Sequence, residues 1–347
     1  MSVKPDASQN VLVASARGEL RKLDASGETV WSRAFGSVVD VDPAGAIFVA
    51  GAFQGQLQLG SSRPLAAAGG TDAFVAKLDG DGRVLFAVAL GGAGDESATS
   101  IAASASGVVV SGTGLGTVEL DATDGAMKWQ RAVEGAVALD GDGNAIVAGA
   151  LQGTASFDRA LTSAGGKDVL VVKLSSDGDY LWSKSFGDSA PEQLAQTVAV
   201  GAGNVVVVGG VVDGAVDFGG GPIGVPAGAC PMEAHCGDQA GFLLTLDAAG
   251  SFIGSRNLGP AVAVSGVAHD GAGDMYAAGS YPGDVAPYRT PLLVGFDSAG
   301  STRRVPTYDD RPGAGHAIAI DGCGDVLFGF SAAGDVGHSY LSKIVVH

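Results

Sequence analysis

Two of the three cysteines, one of the five histidines and one of the four methionines stand together in CPMEAHC (230–236). Zinc takes four ligands at tight spacing, of which Cys230, His235 and Cys236 supply three. Copper(I) accepts soft sulfur, and Cys230, Met232, His235 and Cys236 make a full set for it. A redox pair would take Cys-x-x-Cys beside a helix start, which this segment lacks. A disulfide between Cys230 and Cys236 removes roughly 2–2.5 kcal/mol of unfolded-chain entropy and pins a long, glycine-rich stretch that has no other staple. The disulfide is the preferred reading, free thiols come second and a metal third. Cys323, in IDGCGD, is then the odd thiol.

The second group is carboxylate. AGDESAT (93–99), DSAPEQLAQT (188–197) and DDRPGAGH (309–316) carry Asp95, Glu96, Asp188, Glu192, Asp309, Asp310 and His316. Brought together they would form an acidic funnel for a cation, a cationic substrate or a hydroxyl-rich glycan, with acid–base chemistry open to any close pair. The plainer reading is loop acids in water. Asp140, Asp142 and Asn144 in DGDGN, and Asp79 and Asp81 in DGDGR, echo the first half of a calcium loop. The twelfth position after Asp140 is Leu151, which excludes the helix-flanked loop. Calcium is therefore a minor alternative and no resident cofactor is expected. The chain has no Gly-x-Ser-x-Gly elbow, phosphate loop or His-Glu-x-x-His motif.

These residues gain an address only from the elements that carry them, and those elements repeat. ETVWSRAFG (28–36), RVLFAVALG (83–91), AMKWQRAVE (126–134), DYLWSKSFG (179–187) and SFIGSRNLG (251–259) are one kind of segment. Ahead of them lie AFVAKL (73–78), VLVVKL (169–174), GFLLTL (241–246) and PLLVGF (291–296). A third kind is AIFVAGA (46–52), NAIVAGA (144–150), NVVVVGG (204–210), DMYAAGS (274–280) and DVLFGFS (325–331). Units open on a fourth, such as GAVALDGDG (135–143) and HAIAIDGCG (316–324). Asp-x-x-Gly joins them at Asp24–Gly27, Asp42–Gly45, Asp79–Gly82, Asp140–Gly143, Asp247–Gly250, Asp270–Gly273, Asp297–Gly300 and Asp321–Gly324. The aspartate bonds backbone two residues on, and glycine takes the left-handed position that closes a hairpin.

Four-stranded units in series bury their faces against one another, so the fold is an all-β propeller of antiparallel blades. Boundaries near 1–36, 37–92, 93–134, 135–187, 188–259, 260–309 and 310–347 give seven blades in a single domain over 1–347, with six as the competing count. The last unit shows no fourth strand; either that blade is three-stranded or its outer strand comes from upstream of Met1. The column Trp31, Phe86, Trp129, Trp182 reads as inter-blade packing and lapses at Gly254 and Arg304. The loop from about 211 to 240 is the longest and holds CPMEAHC.

Composition agrees with many short strands: 57 glycines, 13 prolines and 46% apolar residues in 347. A net charge of −17, from 37 acidic against 20 basic residues, repels phosphate backbones, so nucleic-acid binding is not expected. No apolar run approaches the roughly 20 residues of a membrane span. MSVKPDASQN (1–10) lacks an apolar leader core, leaving a cytoplasmic protein or a mature region without its leader.

DAFVAKLDGDGRVLF (72–86), GGAGDESATSIAA (91–103), KDVLVVKLSSDGDYLWSKSFGD (167–188) and the paired GQLQLGSSRPLAAAGGTD (55–72) and GTASFDRALTSAGGKD (153–168) resemble the beta-propeller repeat of the seven-bladed, SBBP type. The resemblance covers nearly the whole chain. It implies a bacterial surface or secreted module that binds or scaffolds, and it lends no catalytic residues. The expectation is a non-catalytic, extracellular or cell-surface monomer that takes a protein, peptide or glycan ligand on its loop face and channel mouth. The alternatives are a hydrolase or lyase using the acidic funnel, and a structural spacer of a larger surface protein.

Overall fold

The computed structural model describes residues 1–15, 17–60, 63–225, 239–282, 289–298, 300–303, 313–332 and 340–345. Seven antiparallel sheets follow one another, each with its strands paired in chain order. Blade 1 holds Ser2–Pro5, Val11–Ala14, Leu20–Leu23 and Thr29–Arg33; blade 2 holds Val38–Val41, Ile47–Leu57, Leu65–Leu78 and Val84–Leu90. Blade 3 is Ser100–Ala103, Gly107–Gly112, Gly116–Asp121 and Met127–Arg131, and blade 4 is Gly135–Leu139, Ala145–Ser156, Ala160–Leu174 and Tyr180–Phe186. Blade 5 pairs Gln193–Val200, Val206–Asp213, Gln239–Leu246 and Phe252–Pro260, and blade 6 pairs Ala263–His269, Met275–Pro282, Arg289–Phe296 and Thr302–Arg303. Blade 7 has Gly313–Ile320, Val326–Ala332 and Tyr340–Ile344. The protein is a seven-bladed β-propeller, which removes the six-bladed alternative.

First strands line the central channel, and short polar side chains clasp neighbours there. Ser2 Oγ donates to the Val39 carbonyl at 3.2 Å, Asp40 Oδ2 accepts from Ala103 N at 2.8 Å and Ser100 Oγ accepts from Val137 N at 2.9 Å. Thr197 Oγ1 accepts from Val267 N at 3.2 Å, and Ser265 Oγ donates to the Gly315 carbonyl at 2.7 Å. The ring closes where Met1, Val3 and Val11 pack on Ala317, Ala319, Leu327 and Leu341. Among the described residues blade 7 has three strands, leaving Tyr340–Ile344 as an edge. Lys343 stands on that edge, 2.7 Å from Asp321 and 3.0 Å from Asp325, and a charge at an edge discourages stray strand pairing.

On the face formed by the Asp-x-x-Gly turns, the outer strands of blades 1, 3 and 4 grip the next blade by a tryptophan. Trp31 Nε1 donates to the Gly80 carbonyl at 3.1 Å, Trp129 to Ser176 at 3.1 Å and Trp182 to Ala248 at 3.2 Å. Arg33 and Arg131, two residues on, donate from Nε to the Gly82 and Gly178 carbonyls at 2.8 and 2.7 Å. The aromatic column is thus a set of latches between blades. Trp31 lies opposite Lys22 in the ladder, and the matching partner of Gly295 in blade 6 is Arg303. The lapse in blade 6 therefore falls at Arg303; Arg304 lies outside the described residues.

Opposite that face, blades 2 and 4 run their second and third strands well beyond their neighbours as arms. Blade 5 adds a third arm, Ala215–Asp217 paired with Pro222–Gly224. This corrects the reading of 211–240 as one loop: Val206–Asp213 is strand, and Phe218 is 2% exposed against Phe186 and Phe242. Residues 226–238, with Cys230, Met232, His235 and Cys236, lie outside the described residues.

Candidate functional site

Inside the ring, the part of the channel lined by Met1, Ser2, Thr99, Gln196, Ser265 and His316 encloses about 320 Å³. The other part encloses about 390 Å³ and contains the Lys4–Asp40 pair at 3.1 Å, with Val137, Val200 and Ile320 in its wall. Most wall residues are small or aliphatic, because they are first-strand positions whose neighbours pack closely.

Of the residues expected at the mouth, His316 lines the channel. Its Nε2 is 2.8 Å from Ser331 Oγ, and burial lowers its pKa, the Met1 ammonium adding to the effect. The unfolded imidazole titrates near about 6.5. Between that value and the lower folded one the unfolded chain binds more protons, so stability falls as pH drops below about 6.5. His316→Gln should flatten the fall below about pH 6.5, read as urea midpoint against pH; an unchanged slope would remove this role.

Asp95, Glu96, Asp188 and Glu192 serve the inter-blade connections instead. Asp95 Oδ1 accepts from Thr71 N at 2.8 Å and Glu96 Oε2 from Gly92 N at 2.9 Å, tying the connection from blade 2 to blade 3 onto the root of the blade 2 arm. Asp188 Oδ1 accepts from Ala190 N at 2.8 Å and Gln193 Nε2 at 2.9 Å, while Oδ2 accepts from Ala215 N at 3.1 Å. Glu192 pairs with Lys167 at 3.2 Å across the root of the blade 4 arm. The two acid pairs sit on different connections, each engaged locally, and none lines the channel cavities. Asp309 and Asp310 lie outside the described residues.

The connections pass so close to the arms that only glycine fits beneath them. A Cβ on Gly69 would stand 2.5 Å from the Gly92 carbonyl oxygen, and one on Gly166 would stand 2.1 Å from that of Pro191. Next to these glycines are two acids that sequence reasoning passed over. Asp72 is 1% and Asp168 3% exposed, with Oδ2 accepting from Ala68 N and Ala164 N at 3.0 Å. The signal was present as GGTD and GGKD at equivalent places.

At the calcium-like turn, Asp140 Oδ1 accepts from Asp142 N and Asn144 N at 2.9 Å, and Oδ2 meets Asn144 Nδ2 at 3.0 Å and Lys173 Nζ at 2.7 Å. Both carboxylate oxygens of Asp140 are thus engaged by this chain's own donors. Asp79 Oδ1 likewise accepts from Asp81 N and Arg83 N, at 3.0 and 2.9 Å. Among the described residues no three His, Cys, Asp or Glu side chains converge as a metal-holding group. No described helix is long and apolar enough to cross a membrane.

No family model matches the chain, and no curated protein matches it. Solved structures do. The WD40 repeats of RRP9 superpose with a TM-score of 0.58 at 7% identity, covering 95% of this chain and 86% of that one. A chain of the mitotic checkpoint complex gives 0.55 at 12% identity, covering 99% and 86%. BamB from Moraxella catarrhalis gives 0.50 at 13%, covering 94% and 92%. At these identities the likeness is one of fold.

Proposed function

We propose that this chain is a non-catalytic interaction propeller that takes a protein, peptide or glycan partner on the face carrying its inter-blade connections and arms. The arms are the observation that supports it. A ring needs only a short turn between second and third strands, as blade 3 has at 113–115. The arms of blades 2 and 4 flank blade 3 in ring order and offer exposed polar side chains. Gln54 Nε2 donates to Thr71 Oγ1 at 3.0 Å on one arm, and Thr154 and Thr162 hydroxyls lie 2.9 Å apart on the other. Insertions gathered on one face of a repeat array are where specificity is built. Acids already bonded to backbone N–H groups support binding over a hydrolase or lyase.

Export to the cell surface or beyond rests on the resemblance of the repeats; a monomer without resident cofactor is part of the same proposal. A Cys230–Cys236 disulfide belongs to the same reading. Alkylation without reductant should then label Cys323, which is exposed, and spare the other two, as intact mass will show.

The test of the function is to replace residues 153–163 by a two-residue turn. The expected result is an unchanged strand signal in circular dichroism with loss of binding on a glycan array and of cross-linked partners. Equal binding by the shortened variant overturns the reading. So does turnover of glycoside or ester substrates that disappears in Glu96→Gln and Glu192→Gln.

A further inference from the structure

Blades 1, 3 and 4 each plug a socket on the turn face with a tryptophan. Trp31 packs into the cluster of Leu20, Val41 and Ile47, with the Arg33 guanidinium 5.1 Å from its ring and its N–H on the Gly80 carbonyl. Blade 5 keeps the socket and lacks the plug. Gly254 stands opposite Thr245, as Trp31 stands opposite Lys22. The lining residues at the positions of Leu20, Val41 and Ile47 are Leu243, His269 and Met275. What remains between blades 5 and 6 is a cavity of about 420 Å³, inside the roughly 300–1,000 Å³ range of small-molecule sites.

The polar half of the latch is still in place. Arg256 bonds the Gly300 carbonyl and lies 4.6 Å from the Phe296 ring. The Ser298 carbonyl corresponds to those of Gly80, Ser176 and Ala248, which accept the indole N–H in other blades.

We infer that this cavity binds a free planar aromatic heterocycle of indole size that carries one N–H. Leu243 and Met275 supply apolar contact, the Arg256 guanidinium stacks on the ring as Arg33 does on Trp31, and the Ser298 carbonyl accepts the N–H. The occupant is a small molecule and not a partner's side chain, because the cavity opens on the turn face, away from the arms. The site is independent of the function proposed for the arm face.

Indole itself is the probe, titrated into the whole chain by calorimetry and ligand-observed NMR. Saturable one-site binding is expected, and indene, which has the shape without the N–H, should bind about fivefold more weakly. Gly254→Trp restores the plug, and a Cβ at Gly254 meets open space. That variant should melt higher and bind indole at least about tenfold more weakly. Gly254→Leu, a partial plug, gives the same comparison if the larger residue disturbs folding. Absent saturable binding, or equal binding by the wild type and both variants, overturns the assignment. Binding of the peptide ETVWSRAFG without binding of indole also overturns it, and gives the socket to a partner's tryptophan.

Discussion

Trp129→Ala lowers the stability of the propeller by about 3–5 kcal/mol, whereas Trp129→Phe lowers it by about 1–2 kcal/mol. Trp129 is 6% exposed, packs with Val109, Leu139 and Ala145, and donates to Ser176 in the turn of the next blade. Alanine therefore opens a cavity at a joint between two blades, removing apolar contact from both. Phenylalanine keeps most of the contact and loses the N–H bond. Urea unfolding checks the pair, and near-equal losses would show that the hydrogen bond outweighs packing. Gly178 explains why the turn cannot compensate: at φ +80°, its Cβ would stand 2.7 Å from the Trp129 ring. The turn glycine is thus required twice, for the hairpin and for the neighbour's indole.

The latches also show which features a sequence can carry. Period-two apolar segments and Asp-x-x-Gly turns are local, so blades and their order were legible from residue types alone. Distance from the ring axis is not local. Asp95 and Asp188 fall on inter-blade connections, yet nothing in their spacing says that they accept from Thr71 N, Ala190 N and Ala215 N. The third arm was missed because Gly214-Ala-Val-Asp-Phe218 was read with the cysteine segment, although its glycine and alternating apolar positions match 55–59 and 153–157. Counting the latch to Arg304 failed for a physical reason. Blades 1 to 5 each skip a residue in the third-to-fourth-strand ladder, which leaves Val30, Leu85, Leu181 and Ile253 exposed. Among the described residues of blade 6 the pairs Gly295–Arg303 and Phe296–Thr302 follow without a skip, so the latch position comes one residue earlier.

The same ladders place Lys173, the second large effect, and here the outcome depends on pH. Lys173→Met should cost about 3–5 kcal/mol at pH 7, because it strands an ionised carboxylate away from water. The Lys173 and Asp140 side chains are 7% and 0% exposed and 2.7 Å apart, and Lys173 Nζ also donates to the Ala248 carbonyl at 3.2 Å. Burial alone would raise the Asp140 pKa, but the bonds from Lys173, Asn144 and Asp142 together hold it below the ordinary carboxylate value. In the wild type this stability is present above the unfolded pKa and is lost as pH falls through the lower folded value. Without Lys173 burial prevails, the folded carboxyl takes up its proton more readily than the unfolded one, and the variant recovers relative to the wild type on acidification. Guanidinium unfolding from pH 7 down to about 4 should show the two curves converging, and a constant gap would mean that lost packing, not charge, sets the cost. Asp140→Asn combined with Lys173→Met supplies the complementary arm. Asparagine still accepts the Asp142 and Asn144 amides through its carbonyl, so the neutral pair should regain at least about half of the loss and show no pH dependence from this site.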